Sequence, residues 1–385
     1  MKIRSLAAFP IRLPRDLAGA RGTAGSPTTL TGTGHYRWSS DYPVLYSVNF
    51  ETALVRVELD NGLIGWGEAQ APLAPEVACT IVEQLLRPAL EGVDFDGSLP
   101  EITALWDRMY STMRVRGHGA GFMIDAMSGV DLALWDLAGK IAQKPVAQLL
   151  SAAPKRFVPA YLSGTSGASP KERADFARRF FDDGIPLVKL YFESDWNDLL
   201  AIADQLPNDM RFAVDALWHL PPDQAVPMAR ELDARNARWL ECPLYPEELE
   251  AHARLAQSIQ TPIAVGESYR MPREFQPFFG IARVLQPDLG RSGLTGSMGV
   301  AQAFGGEIIP HLSIAMGPQI AAALHLAAAA PNCPICEFNP NVLHMANAFL
   351  KEPIRREGAH YVVSQSPGLG IEWNEKLQSL CGIAG

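Results

Sequence analysis

The sequence predicts an α/β fold, a parallel strand–helix barrel standing behind a smaller α+β block. Three observations carry that prediction. From residue 157 onward, eight short β-rich runs alternate with helix-length segments, an order that argues for a closed parallel barrel rather than an open sheet. Three successive runs end in an acid, Asp215, Glu241 and Glu267, with a constant step of 26 residues. The chain before Gly121 lacks this alternation and reads as strands and helices in separate blocks.

Taken in order, residues 2–13 suggest a strand, and 17–47 a long Gly/Thr/Ser-rich loop carrying aromatics. A loop of that length without periodicity is usually functional or disordered. Residues 52–59 alternate like a strand, Asp60-Asn61-Gly62 supplies a turn, and 63–68 complete a hairpin. Helical patterns follow at 75–90 and 100–113, then a strong helix at 122–150 with Met127, Val130, Leu134 and Leu137 at helical spacing. The barrel runs are 157–163, 187–192, 212–215, 239–241, 263–265, 283–286, 308–310 and 335–338. Segments 170–181, 222–235, 247–259 and 316–330 are among the helices between them. The tail after Phe349 is expected to pack back on the first block.

Composition narrows the class. A chain of 385 residues with 48% hydrophobic and 19% charged residues matches ordinary soluble globular proteins and allows two or three domains. The net charge of −9 gives nothing that favours nucleic acid or anionic lipid. Five scattered cysteines do not make a disulfide framework, and Cys333 and Cys336 have no second such pair to complete a zinc site. The apolar start is broken by Pro10, unlike a signal peptide, and the Ala-rich stretch 320–330 is too short to span a membrane. A cytoplasmic protein acting on a small molecule is expected.

Catalytic side chains of such barrels come from the carboxyl ends of the strands. Those ends supply Lys189 and Tyr191, then Asp215, Glu241, Glu267, Asp288, His311 and Glu337. A single strand-end acid is more often a helix cap, but three at one period converge on one side of the mouth. Three hard anionic ligands without a thiol suit Mg²⁺. Lys189 and Tyr191 share a face, and an inward lysine is costly unless paired or functional. Asp288 precedes His311 by one strand, and a neighbouring carboxylate orients a ring and raises its basicity.

These residues carry a family resemblance. The chain resembles the enolase superfamily, specifically its mandelate-racemase-like subgroup, through Gly65-Trp66-Gly67-Glu68-Ala69, the run from Ser128 to Asp136, Glu241-Cys242-Pro243, Gly266-Glu267, Gln286-Pro287-Asp288 and Pro310-His311. The resemblance implies a modified TIM barrel, (β/α)₇β, under an α+β capping domain. The expected division is a capping domain at 1–125, a catalytic barrel at 126–350 and a C-terminal segment at 351–385 that packs on the cap. It implies Mg²⁺ held by Asp215, Glu241 and Glu267, a His311–Asp288 general-base dyad, and Glu337 hydrogen-bonding an enolate-like intermediate. Family members are commonly symmetric oligomers, so a homo-oligomer is implied as well. Two positions depart from the pattern. The second strand reads Lys189-Leu190-Tyr191 where the family has Lys-x-Lys, and Leu217 stands where the subgroup usually has asparagine.

The chemistry implied is removal of a proton α to a carboxylate, with a divalent ion stabilising the ene-diolate and Lys189, joined by Glu337 only if it is protonated, donating to its other oxygens. Dehydration of a mono- or diacid sugar, galactarate-like, to a 2-keto-3-deoxy product needs one strong base and one acid. A racemase or epimerase of a 2-hydroxy acid needs bases on both faces, and loss of the second lysine counts against it. A non-catalytic binding protein on the same fold is the third alternative. In the capping loop, Arg37 can pair with a distal carboxylate, with Tyr36 and Trp38 stacking on the chain; equally, the two aromatics can simply anchor the loop. Arg114, Arg116 and His118, and Trp218 with His219, are further residues within reach of the mouth.

Overall fold

The computed structural model describes residues 1–14, 30–40, 43–193 and 195–381. The first strand, β1 (Ile3–Pro14), is followed by three short ones, β2 (Leu30–Thr31), β3 (Tyr36–Ser39) and β4 (Val44–Ser47). A long hairpin comes next, β5 (Asn49–Leu59) and β6 (Ile64–Ala69), and β1-β5-β6 form an antiparallel sheet. The helix Pro75–Ile81 packs beside it, the helix Phe122–Ala142, buried from Met123 to Gly139, lies across its face, and the helix Leu99–Arg114 packs on that one.

The segment 30–47, read from sequence as loop, is instead a three-stranded antiparallel sheet in the order β2-β3-β4. Strands of two to four residues are too short to show a period. Within that loop, 17–29 and 41–42 lie outside the described residues. The helix predicted over 122–150 is two helices, Phe122–Ala142 and Val146–Leu150. Gln143 takes the left-handed conformation (φ 54°) and Pro145 follows, which disfavours helical backbone at Lys144.

The motif residues of the first third hold the cap to the barrel. A side chain at Gly67 would land on the Gly129 carbonyl oxygen, so sheet and helix approach as closely as they do only with glycine there. Glu68, fully buried, accepts from the Met316 and Gln319 amides (2.7 and 3.2 Å) and from Thr52 (3.0 Å). It thereby caps the barrel helix Pro318–Ala329 from the other sheet. Burial pushes its carboxyl up to about 7. Asp131 accepts from the Thr295 amide at 3.0 Å, and Asp136 from the Trp66 and Leu369 amides at 2.9 and 2.8 Å.

The barrel strands are β7 (Phe157–Ser163), β8 (Leu187–Tyr191), β9 (Arg211–Asp215), β10 (Leu240–Glu241), β11 (Ile263–Val265), β12 (Val284–Leu285), β13 (Glu307–Ile308) and β14 (Cys336–Phe338). They pair in parallel from β13 down to β7, with β14 on the far side of β7. Between them run helices such as Pro170–Asp182, Leu249–Ser258 and Leu289–Ala303. In the tail, β15 (Arg356–Glu357) pairs with β16 (His360–Val362), and β16 adds antiparallel to β7. Leu377, in the helix Glu375–Cys381, clusters with Ile11 and Leu54 of the capping sheet.

The barrel interior is layered. Tyr161, Leu187, Ala213, Trp239, Ala264, Val284 and Ile309 form one buried apolar cluster, with Ile335 packed against it. Two residues further along each strand stand Ser163, Lys189, Asp215, Glu241, Gly266, Gln286, His311 and Glu337. The period-2 geometry of a strand returns side chains to the same face, so an apolar floor carries a polar layer directly above it. That polar layer frames the candidate site.

Candidate active site

Glycine interrupts the layer once. Gly266 has φ +132°, and a Cβ there would press on the Phe275 ring and the Gln286 amide. Any L side chain is strained in that conformation. The turn it permits lets Glu267, the next residue, supply the third carboxylate. Asp215, Glu241 and Glu267 then place one ligand oxygen each within 4.8 Å of one another.

Lys189 is fully buried beneath them. Its ammonium lies 2.5 Å from Glu241 Oε1, 3.0 Å from Glu337 Oε1 and 3.5 Å from Asp215 Oδ2. Burial alone would neutralise it, but Glu241 and Glu337 outweigh that and hold it as an ammonium. One cation does not balance the acids around it. Asp215 is pushed well above the usual carboxylate range by burial and by repulsion from Glu241 and Glu267. Glu267 is also raised, chiefly by burial. Three hard oxygen donors at this separation, two of them with carboxyl pKa values raised by burial and by neighbouring acids, fit a divalent cation.

His311 stands opposite. Its Nδ1 is 2.9 Å from Asp288 Oδ2, and its Nε2 lies 3.6 Å from Glu267 Oε2. Asp288 is fixed in turn by Gln319 Nε2 and the Gly290 amide, both donating to Oδ1 at 2.9 Å. Burial lowers the ring pKa, but Glu267, the Asp288 hydrogen bond and Glu337 prevail and bring it up to about 10. The pairing of one ring nitrogen with a carboxylate leaves the other to face the reacting group.

Glu337 closes the ring of residues. It accepts from Ser163 Oγ at 2.5 Å and from the Leu312 amide at 2.7 Å. Burial raises its pKa, yet Lys189 and His311 bring it below the ordinary carboxylate value. In this geometry it is an acceptor. Tyr191 OH lies 2.9 Å from Ser163 Oγ, and the Lys189 ammonium sits 5.3 Å from the Tyr191 ring centre. Burial drives the phenol pKa upward despite that ammonium, which keeps it a neutral hydroxyl.

Leu217, at the departing position, contributes through its backbone. Leu217 and Trp218 are both left-handed (φ 51° and 62°), and the Leu217 amide donates to Asp215 Oδ1 at 3.0 Å. Two consecutive non-glycine residues in that region store strain at the rim of the site. Trp218 donates its amide to Cys242 O at 2.7 Å, and the half-buried His219 follows.

The capping-loop residues stand apart from this cluster. Tyr36 donates its hydroxyl to Glu51 at 2.8 Å and accepts from the Ala74 amide at 2.7 Å and from Arg12 at 3.2 Å. Arg37 Nε donates to Gly34 O at 3.3 Å within its own turn. Trp38 is 47% exposed and pairs across the strands with Leu45. Arg114 sits over the Tyr110 ring, and Arg116 and His118 are exposed.

Sequence reasoning missed Ser163, Trp239, Gln286 and Gln319 as parts of the site. The signal for Ser163 and Gln286 was their place two residues beyond an apolar floor position. Serine and glutamine announce no chemistry on their own, and Gln319 reaches Asp288 from a helix no motif marked.

Fold and site together define an enolase-type barrel enzyme with a metal-binding acidic triad. Residues 172–377 match the family model described as enolase C-terminal domain-like, and 37–151 match the mandelate racemase/muconate lactonizing enzyme N-terminal domain. The chain belongs to the mandelate racemase/muconate lactonizing enzyme family of the enolase superfamily. It is 31% identical to D-galactarolactone cycloisomerase of Agrobacterium fabrum, over 83% of this chain and 88% of that one. It is also 31% identical to arabinonate dehydratase of Saccharolobus solfataricus, over 83% and 87% of the two chains. A solved structure of an enolase-superfamily member from Agrobacterium tumefaciens superposes with a TM-score of 0.91 at 25% identity, covering 98% of each chain. No helix among the described residues is long and apolar enough to cross a membrane.

Proposed function

We propose that this enzyme removes the proton α to the carboxylate of an acid sugar and expels the β-oxygen, giving a 2-keto-3-deoxy acid. The observation that carries the reading is a single oriented base, His311 on Asp288, facing an acidic triad. Asp215, Glu241 and Glu267 would hold Mg²⁺, which supplies positive charge to the substrate carboxylate as the α-proton leaves. Lys189 would place its ammonium by the same carboxylate. Asp288 keeps His311 Nδ1 bonded, so that Nε2 takes the α-proton. The neutral Tyr191 hydroxyl, bonded to Ser163, would assist departure of the β-hydroxyl, which leaves as water.

Racemisation requires a base on each face, and a buried phenol with a raised pKa is a poor second base. The cycloisomerase relative favours one other outcome of the same step. Where the β-oxygen belongs to a lactone ring, its expulsion opens the ring without loss of water, and the product is an isomer. The partner in either case is a small carboxylate. Incubating mono- and diacid sugars and their lactones with enzyme and Mg²⁺ is expected to yield a 2-keto-3-deoxy acid from at least one. If no substrate in the panel loses its α-proton, the reading fails.

A further inference from the structure

Of the three acids in the triad, Glu241 is the most completely held, and what holds it is unusual. Its Oε1 accepts from Lys189 at 2.5 Å. Its Oε2 accepts twice, from Trp239 Nε1 at 2.9 Å and from Gln286 Nε2 at 2.6 Å. Glu241, Trp239 and Gln286 are all fully buried. Trp239 lies in the apolar floor two residues before Glu241, its ring edge-on to Tyr161 at 5.2 Å between centres. Gln286, one residue past β12, reaches Glu241 across β11, whose Ala264 and Gly266 carry little or no side chain.

We propose that Trp239 and Gln286 are positioning residues for the metal ligand Glu241, acting as a neutral clamp that fixes which oxygen faces the cation. A carboxylate oxygen has two lone-pair directions. Two donors use both directions on Oε2, so the capacity left for a cation is on Oε1. Both donors are uncharged. They stop rotation of the carboxylate without adding the positive charge by which Lys189 competes with a bound ion. Partners of this kind typically set metal affinity 10- to 100-fold.

The glutamine shows a further sign of this role. Its Oε1 is buried with no hydrogen-bond partner among the described residues. An amide that leaves its own acceptor unsatisfied stabilises the fold little, since a buried orphan costs about 1–3 kcal/mol. Replacing it by an isosteric apolar chain therefore removes a liability together with the bond to Glu241. The fold of the metal-free protein should tolerate that change while the metal site does not.

The inference rests on the metal assignment proposed above, and its test separates the two. Mg²⁺ affinity is measured by calorimetry on the full chain, with melting of the metal-free protein followed alongside. Gln286→Met and Trp239→Phe are each expected to bind Mg²⁺ about 10- to 100-fold more weakly than the parent protein, with the melting temperature of metal-free Gln286→Met unchanged. Val284→Ala, which loosens the apolar floor without touching Glu241, is expected to bind Mg²⁺ as the parent does. Parent-like affinity in both Gln286→Met and Trp239→Phe overturns the clamp while leaving the triad in place. Equal weakening in Val284→Ala overturns it too, because general loosening would then explain the loss. Absence of Mg²⁺ binding by the parent protein overturns the metal assignment itself, and the clamp with it.

Discussion

His311→Asn is expected to lower turnover by at least about 10²- to 10⁴-fold, the range of a positioned acid–base group, while the protein folds and binds Mg²⁺ as before. Asparagine can keep a hydrogen bond to Asp288 but has no nitrogen that accepts a proton near neutral pH. Asp288 keeps its place without the ring, because it stays bonded to Gln319 and to the Gly290 amide. Circular dichroism and Mg²⁺ calorimetry should therefore match the parent protein. Asp288→Asn is expected to impair turnover as well, since the ring loses the carboxylate that orients it and fixes its tautomer. A His311→Asn variant with parent-like kcat would place the base elsewhere.

Glu241→Gln should remove activity outright. The substitution deletes one of three anionic ligands, and it also turns an amide NH₂ or a lone carbonyl toward donors that expect a carboxylate. Trp239 Nε1, Gln286 Nε2 and the Lys189 ammonium all point at Glu241, and each donor left unpaired costs about 1–3 kcal/mol. Loss of metal affinity and a lower melting temperature are both expected. In the parent protein, excess chelator should abolish turnover and added Mg²⁺ should restore it. Full activity in chelator would remove the metal from the account.

The barrel was legible in the sequence because its strands are short, apolar and regularly spaced. Asp215, Glu241 and Glu267 could be read as one cluster because equal steps along a repeating unit return to equal heights around the barrel. The motif residues of the cap could be matched to a family but not explained: Gly67, Glu68 and Asp131 act across an interface that the chain assembles only when folded. The sheet β2-β3-β4 escaped notice because its strands never span a full period. The joint role of Trp239 and Gln286 escaped notice for another reason. Their significance lies in a shared hydrogen-bond acceptor 2 and 45 residues away, and no local pattern encodes that.

The path of the α-proton tests the central claim most directly. An acid sugar that the enzyme turns over is incubated with Mg²⁺ in deuterium oxide, and isotope at the α-carbon is followed in two variants. Tyr191→Phe is expected to keep exchanging the α-proton while losing the β-oxygen more slowly, because His311 still takes the proton. His311→Asn is expected to exchange none. Loss of exchange in Tyr191→Phe, with exchange intact in His311→Asn, would contradict the account and place the base on β8.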